Sequence, residues 1–311
     1  MRNKTFIIIV TYNGIKWLLK CLESAKSYPV IIVDNNSTDE IVNFIKASYP
    51  EVILLQQSKN LGFGQANNIG ISYALKEGTE HIFLLNQDAY LKDNCLDILI
   101  DFQKKNKEYG ILSPIHLNGT GTRLDANFSS YVNYSGNKDF FSDYVLNKSI
   151  KPIYTVPFVN AAGWLISREC LEIAGGFDPI FFHYGEDDNY CQRVNYHGFK
   201  IGVVPEARLL HDRENRSGPE ILYGDRKYFQ AMERQLKLKY ADISKPWDPE
   251  LDNLIRKRKN AWLKTTIKLD FKKATFFRNE YLMLQRIKSE ILLSRKTNKL
   301  QGLNYLKFEE Q

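Results

Sequence analysis

Four short apolar runs, residues 6–10, 30–33, 52–55 and 82–85, punctuate the first third of the chain. Each is unbroken, rich in β-branched or large apolar residues and too short for most helices. Each therefore reads as a strand of a parallel sheet buried on both faces. Helical candidates lie between them at 15–26, 39–48 and 65–76, with Ser37 and Thr38 as N-caps for the second. Such alternation predicts βαβ units with right-handed crossovers. The expected fold is α/β, a mostly parallel, Rossmann-like sheet flanked by helices.

From 118 to 154 the periodicity dissolves into Asn, Ser, Gly, Asp and aromatic residues, which reads as a long, substrate-facing excursion. Order returns over 156–167, followed by a helix at 168–174, the run Gly175-Gly176-Phe177-Asp178, a helix at 187–197 and a strand at 201–204. Residues 207–210 are also strand-like. After Gly218 the chain reads as helical and basic. There Tyr281, Leu284, Ile287 and Ile291 share one stripe, with Arg286, Lys288 and Arg295 elsewhere around the helix. The expected division is an α/β domain at 1–220, with halves at about 1–115 and 116–220, and a basic helical region at 221–311.

Charge sharpens that division. Residues 226–311 hold 21 Lys/Arg against 10 Asp/Glu, whereas 1–225 hold 22 against 26. A basic C-terminal region suits anionic lipid, phosphate-bearing substrate or nucleic acid; the acidic body argues against a nucleic-acid groove, and nucleic acid is not an expected partner. At 43% hydrophobic and 25% charged, the 311 residues have the composition of a soluble globular protein. No apolar run approaches the ~18 residues of a membrane span. Residues 6–10 fall short of the roughly 7–15 apolar residues of a signal-peptide core. Cys21, Cys95, Cys170 and Cys191 show no paired spacing for zinc or disulfides, which suits a reducing cytoplasm.

The candidate chemistry clusters where strands stop. In open α/β sheets, ligands bind beyond the carboxyl ends of the strands. Asp88 follows the fourth run and is placed for a metal ion or polar ligand. Thr11, Tyr12 and Asn13 follow the first run, and Asp34 and Asn35 end the second. Asp34 can accept the N–H of a pyrimidine base, while Thr11 and Asn13 can line a base or ribose pocket. Turn chemistry and helix capping are the competing account, above all for Asn36, Ser37 and Thr38. Asn60, Gly62, Gly64 and Asn67 open a helix where backbone can approach a phosphate, although helix initiation also explains them. Glu186, Asp187 and Asp188 crowd three carboxylates onto a helix start. Dipole stabilisation accounts for such a cluster, but mutual repulsion should raise at least one pKa, as a general base requires. His183 and His211 are candidate metal ligands.

Taken together and in order, these segments resemble the family 2 inverting glycosyltransferases with a GT-A fold. The residues that carry the likeness are Val10-Thr11-Tyr12-Asn13, Val33-Asp34-Asn35-Asn36-Ser37-Thr38-Asp39, Asn60-Leu61-Gly62-Phe63-Gly64 and Leu85-Asn86-Gln87-Asp88. To these add Gly175-Gly176-Phe177-Asp178, and Gly185-Glu186-Asp187 with Arg193. The chain is most similar to the rhamnosyltransferase-type branch that builds bacterial surface polysaccharides, over roughly residues 5–215. The resemblance implies a donor site, for a UDP- or dTDP-sugar, built from Thr11, Tyr12, Asn13, Asp34, Asn35, Asn60, Gly62, Gly64, Asn67, Asn86, Gln87 and Asp88. It implies Mg²⁺ or Mn²⁺ at Asp88 with His211, catalysis by Asp187 with Glu186 beside it, and acceptor contacts from Trp164 and Asp188. Two departures stand out: Asn86 replaces the first aspartate of the metal motif, and Asn189 stands where many relatives carry a further acid.

The implied acceptor is a glycan or lipid-linked saccharide. The basic region, with Trp262, Phe271, Phe276 and Phe277, fits peripheral attachment to the inner face of the cell membrane, at ~1 kcal/mol per basic residue near anionic lipid. A helical cap or dimerisation arm is the other reading, which leaves a homo-oligomer open. Two further functions compete: a non-catalytic nucleotide-sugar or glycan-binding module, and a nucleotidyltransferase. The latter needs a Gly-rich basic loop after the first strand, where this chain has Tyr12-Asn13-Gly14-Ile15.

Overall fold

The computed structural model describes residues 5–213 and 222–307. The chain forms two compact units, Met1–Arg216 with Gln301–Gln311, and Ser217–Leu300. The boundary expected at residue 220 lies outside the described residues. The division differs from the expected one at the C-terminus, where the last residues belong with the first unit. Leu306 is buried in that unit's core, and Gly176 N donates to Asn304 O at 2.8 Å.

The first unit begins with β1 (Thr5–Thr11), α1 (Ile15–Ala25), β2 (Val30–Asp34), α2 (Ile41–Ser48), β3 (Ile53–Gln56), α3 (Phe63–Lys76) and β4 (His81–Asn86). It continues through β5 (Ala89–Leu91), α4 (Cys95–Lys105), β6 (Tyr109–Asn118), α5 (Ala126–Tyr131) and α6 (Lys138–Val145). It closes with β7 (Tyr154–Thr155), β8 (Gly163–Ser167), α7 (Arg168–Ala174), α8 (Glu186–Tyr196) and β9 (Lys200–His211). The strands make one nine-stranded sheet in the order β3-β2-β1-β4-β8-β6-β9-β5, with β7 paired to β9. The stretch from β3 to β4 is parallel, as the alternation predicts, and antiparallel β8, β5 and β7 make the whole sheet mixed.

Three of the apolar runs are explained by burial on both faces, whereas the run at 52–55 lies mostly in the edge strand β3 and is only partly buried. Ile8, Val33 and Leu84 pack into one core layer, while Ile7, Ile9, Ile32 and Leu85 pack into the other. The parallel register sets Thr11 opposite Asp34 and Val10 opposite Asn86, so three predicted site segments end on one sheet edge. The apolar pieces at 201–204 and 207–210 form a single strand, β9, which runs on to His211.

Two local expectations change. The region 118–154 is not structureless: it contains α5 and α6, whose N-caps Asp125 and Asn137 each accept two backbone N–H groups. Ser37 and Thr38 do not cap α2, which starts after Glu40 with no side-chain cap. They hold the Asn13 turn instead. Asn13 N donates to Ser37 Oγ at 3.0 Å, and Thr38 N to Asn13 Oδ1 at 2.8 Å.

The second unit is helical: α9 (Arg226–Ala241), α10 (Glu250–Ile267) and α11 (Phe271–Asn298). Leu251, Met283, Leu284, Ile287 and Ile291 are buried, so the stripe read from the sequence is the seam of this unit. Arg295 is buried rather than solvated, donating to Tyr240 O at 2.9 Å and Lys245 O at 2.6 Å. Of the four aromatic residues assigned to membrane contact, Trp262 packs on Tyr281, and Phe276 packs on Phe229 and Phe277. Only Phe271 is exposed. Among the described residues, no helix is long and apolar enough to cross a membrane.

Candidate active site

At the β1–β2 edge the polar residues hold one another and the backbone. Thr11 Oγ1 donates to Asp34 Oδ1 at 3.3 Å, and Ser37 N to Asp34 Oδ2 at 3.2 Å, on a carboxylate that is 3% exposed. Each oxygen keeps a second lone pair for a ligand N–H. Asn35 accepts from Leu61 N at 2.8 Å and donates to Asn60 Oδ1 at 2.9 Å, while Asn60 Oδ1 also accepts from Gly62 N at 2.8 Å. The Asn60–Gly64 loop is thereby fixed against β2. Gly62 has φ of 80°, and a Cβ there would lie 1.8 Å from Phe182 O. A Cβ on Gly64 would lie 2.9 Å from Phe177 Cβ. Both glycines are explained by backbone and side chains of the 177–186 segment packing on the loop. Asn67, expected at the donor, is buried and donates to Phe63 O in its own helix at 3.0 Å, so it is a structural residue here.

Gln87 ties β4 to β1: Tyr12 N donates to Gln87 Oε1 at 3.0 Å, and Gln87 Nε2 to Tyr12 O at 3.3 Å. This pairing turns Asp88 off the end of β4. Across from it, β5 pairs with the end of β9 so that Ala89 faces His211. His211 Nε2 stands 3.7 Å from Asp88 Oδ1, and Nδ1 stands 3.5 Å from Asp125 Oδ2. All three groups are buried. The imidazole is bracketed by two carboxylates, neither at hydrogen-bond distance. A proton on Nδ1 directs it at Asp125 and leaves the Nε2 lone pair toward Asp88. Arg213 Nε lies 3.8 Å from the same Asp125 oxygen.

The arrangement fits a divalent cation. Two donors each about 2.1 Å from one ion stand roughly 3–4 Å apart, and Asp88 with His211 falls in that range. Among the described residues no group of three or more His, Cys, Asp or Glu is set to hold a metal ion. Protein would therefore supply two donors and leave the other positions to phosphate oxygens and water, as is usual for Mg²⁺. His183, the other histidine weighed, is exposed on the loop before α8.

The carboxylate cluster starts α8 after Gly185, which has φ of 95°. Glu186 is buried at that helix start, close to Gly64, and offers no face to an acceptor. Asp187 is partly exposed, and burial of its carboxyl pushes its pKa up. Hydrogen bonds from the backbone N–H groups of Asp188 and Ala161, and the charge of Arg213, pull the other way. Burial is the largest cause, rather than the carboxylate repulsion expected from the sequence. Arg193, 0% exposed, donates to Ala174 O at 2.7 Å, Gly176 O at 2.6 Å and Asn189 Oδ1 at 3.2 Å. Its role is to fasten α8 to the Gly175-Gly176 turn, and Asn189 is part of that fastening. Asn68 grips the next residue, accepting from Phe177 N at 2.7 Å and donating to Phe177 O at 2.8 Å.

Trp164, expected at the acceptor, is 0% exposed in β8 and stacked near Phe177 and Tyr190. It has no face for a sugar and is a core residue, with its indole Nε1 buried without a hydrogen-bond partner among the described residues. Three residues that no motif marked stand beside Asp187 and His211 instead: Asp125, Tyr131 and Arg213. The Tyr131 hydroxyl is pushed up to about 12, mainly by burial and then by Asp187. Asp125 and Tyr131 lie in the segment that lacked periodicity, and Arg213 follows His211. The N-cap pattern of Asp125 ahead of Ala126–Tyr131 is the signal that could have found the first two.

Residues 6–172, more than half of the chain, match the sequence profile of Glycosyl transferase family 2. The chain is 24% identical over 220 residues to the dTDP-rhamnosyl transferase RfbF of Shigella flexneri, covering 68% of this chain and 70% of that protein. It is 25% identical over 237 residues to the N-acetylglucosaminyl-diphospho-decaprenol L-rhamnosyltransferase of Mycobacterium tuberculosis, covering 68% and 77%. A crystal structure of GalNAc-T7 with UDP, GalNAc and Mn²⁺ superposes with a TM-score of 0.56 at 18% identity, over 76% of this chain and 50% of that one. At that identity the likeness is one of fold.

Proposed function

The chain belongs to glycosyl transferase family 2, and from that premise we propose an inverting transferase that moves rhamnose or another hexose from a dTDP- or UDP-sugar to a hydroxyl of a lipid-linked saccharide in polysaccharide synthesis. The observation that carries this reading is one line of charged groups, Asp88, His211, Asp125, Arg213 and Asp187, linked neighbour to neighbour. The reading takes Asp88 and His211 as the cation site and Asp187, whose pKa burial raises, as the base. Names of similar proteins supply the sugar and acceptor classes: dTDP-rhamnosyl transferase for one, and a diphospho-decaprenol saccharide rhamnosyltransferase for the other.

In this mechanism Asp34, braced by Thr11, accepts the N–H of the pyrimidine base. Asp88 and His211 would hold a divalent ion, Mg²⁺ or Mn²⁺, which when bound would supply positive charge against the negative charge of the departing diphosphate. Asp187 takes the proton of the acceptor hydroxyl as its oxygen attacks the anomeric carbon from the face opposite the diphosphate. The bond to the leaving oxygen breaks, and the anomeric centre inverts in one displacement. A base whose pKa is raised toward the working pH is the better proton acceptor, and such help is typically worth ~10²–10⁴ in rate. The basic second unit is the natural site of contact with the membrane that carries the acceptor, on the cytoplasmic side.

Calorimetric titration with a panel of dTDP- and UDP-sugars, with and without Mn²⁺, tests the donor half. One donor should bind in a metal-dependent manner, and Asp88→Ala should weaken it. A folded protein that binds none of them would remove Asp34 and Asp88 from the mechanism.

A further inference from the structure

The turn between α10 and α11 presents large apolar side chains to water. Ile267 is 82% exposed, Leu269 70%, Phe271 68% and Leu263 47%. The first three fall within the five residues 267–271, at the convex end of a helical hairpin. The turn itself is well made. Leu269 N donates to Thr266 O at 3.0 Å, Asp270 N to Thr265 O at 3.0 Å, and the Asp270 side chain caps α11 through Lys273 N at 3.2 Å. Leu269 occupies the left-handed region, φ 57°, where glycine or asparagine is the ordinary choice and a bulky residue is strained. Such strain is an outlier that asks for a use of the side chain it displays.

Lysines ring this apolar end. Lys264, Lys268, Lys272 and Lys273 are all exposed, and within 263–273 the one acid is Asp270, which bonds Lys273 at 2.9 Å. A convex apolar point inside a cationic collar matches the outer layer of an anionic bilayer: side chains enter the acyl boundary while lysine stems keep their ammonium groups among the headgroups. A second copy of the chain fits poorly, because a symmetric contact would set lysines against lysines. We propose that the α10–α11 corner is a membrane-docking point, in which Ile267, Leu269 and Phe271 insert into anionic phospholipid and the surrounding lysines bind its headgroups. This deepens the lipid-linked-acceptor part of the proposed function, and its relevance to catalysis rests on that part. The docking does not.

Flotation of the full chain with phosphatidylcholine vesicles, and with vesicles also containing phosphatidylglycerol, tests the surface directly. Binding is expected to the anionic vesicles only, and to weaken as salt rises. Ile267→Ser, Leu269→Ser and Phe271→Ser together should lower partitioning by about tenfold or more. Lys264→Gln, Lys268→Gln and Lys272→Gln together should remove most of its salt dependence. Insertion is read separately by a polarity-sensitive dye at Leu269→Cys, since the four native cysteines are buried. The dye should shift to the blue with anionic vesicles. Failure to float, flotation unchanged in the serine variant, or a dye that stays in water each overturns the proposal. The serine variant should keep donor binding and transfer to a water-soluble acceptor, and lose rate only with a vesicle-borne one. Flotation of a protein that transfers to neither acceptor keeps the docking point and sinks the transferase reading alone.

Discussion

On the β1–β2 edge, Asn13, Asp34, Asn35 and Asn60 each hold a neighbouring backbone N–H at 2.8–3.2 Å. On the β4–β9 edge, the charged groups of Asp88, His211, Asp125 and Arg213 face one another at 3.5–3.8 Å. Both sets lie at the carboxyl ends of strands, and in the sequence both are runs of polar residues after apolar ones. The bonds distinguish them. Groups already bonded to backbone build the loops. The charged groups of the second edge face one another at longer range, where a ligand or ion can come between them. Asp34 and Asp125 belong to both classes, since Asp34, proposed to accept the base N–H, also holds Ser37 N, and Asp125 also caps α5 through two backbone N–H groups.

If that difference is functional, the largest effect should come from the second edge and its neighbour Asp187. Asp187→Asn should lower kcat by ~10²–10⁴ while donor affinity, measured by calorimetry, changes only a few-fold. The pH dependence has a defined sign. Activity needs the ionised carboxylate, so the wild-type rate should fall as pH drops through a pKa above the usual carboxylate range. Stability runs the other way. A carboxyl whose folded pKa is raised favours the folded state below its unfolded pKa, and that contribution is lost as pH rises through the folded one. Asp187→Asn should thus melt no lower than wild type near neutrality. A large loss of melting temperature would make Asp187 structural.

The first edge predicts the reverse pattern, and so does the fastening of α8. Removing Arg193 leaves the carbonyls of Ala174 and Gly176 without their donors in a buried site. Arg193→Met should cost about 3–5 kcal/mol in denaturant unfolding, because the buried acceptors it bonds lose their donor, at about 1–3 kcal/mol each. Lost rate at unchanged stability would instead place Arg193 in the chemistry.

A smaller effect separates metal ligands from their support. Asp125→Asn keeps the N-cap acceptor of α5 but weakens the charge facing His211 Nδ1. Support of this kind usually counts for about 10–100-fold in metal affinity. Mn²⁺ titration followed by its paramagnetic signal should show that loss for Asp125→Asn and a greater one for Asp88→Ala. Equal Mn²⁺ affinity in Asp125→Asn and wild type would reduce Asp125 to a helix cap.

Most of the strand frame was legible because its signals are local. Four short unbroken apolar runs read as strands, three of them buried on both faces and the one at 52–55 a partly buried edge, and the parallel register lines up Thr11, Asp34 and Asn86. The acid edge was only half legible. Asp88 and Asp187 have sequence neighbours that mark them, but Asp125 and Arg213 come to His211 through the ends of β6 and β9, which long-range pairing sets. No period of 2 or 3.6 encodes that approach. The stripe on α11 was visible for the same local reason as the strands. The burial of Arg295 was not, since it depends on three carbonyls around residues 240–245.

The smallest expected effect concerns the residue that sequence and structure assign most differently. The family resemblance implies an acceptor contact from Trp164. Its ring is instead enclosed in the core layer with Phe177 and Tyr190, and its register partner is Leu84 at the centre of β4. Trp164→Phe should therefore lower stability by about 1–2 kcal/mol through incomplete filling of its site. It should leave the acceptor KM within about twofold, because no lost contact distinguishes bound from free acceptor. Tyr131→Ala is the matched control: a partly exposed ring beside Asp187, whose removal should raise the acceptor KM more than it lowers the melting temperature. The two variants exchange positions only if the core aromatic reaches the acceptor after all, which would require β8 to leave the sheet.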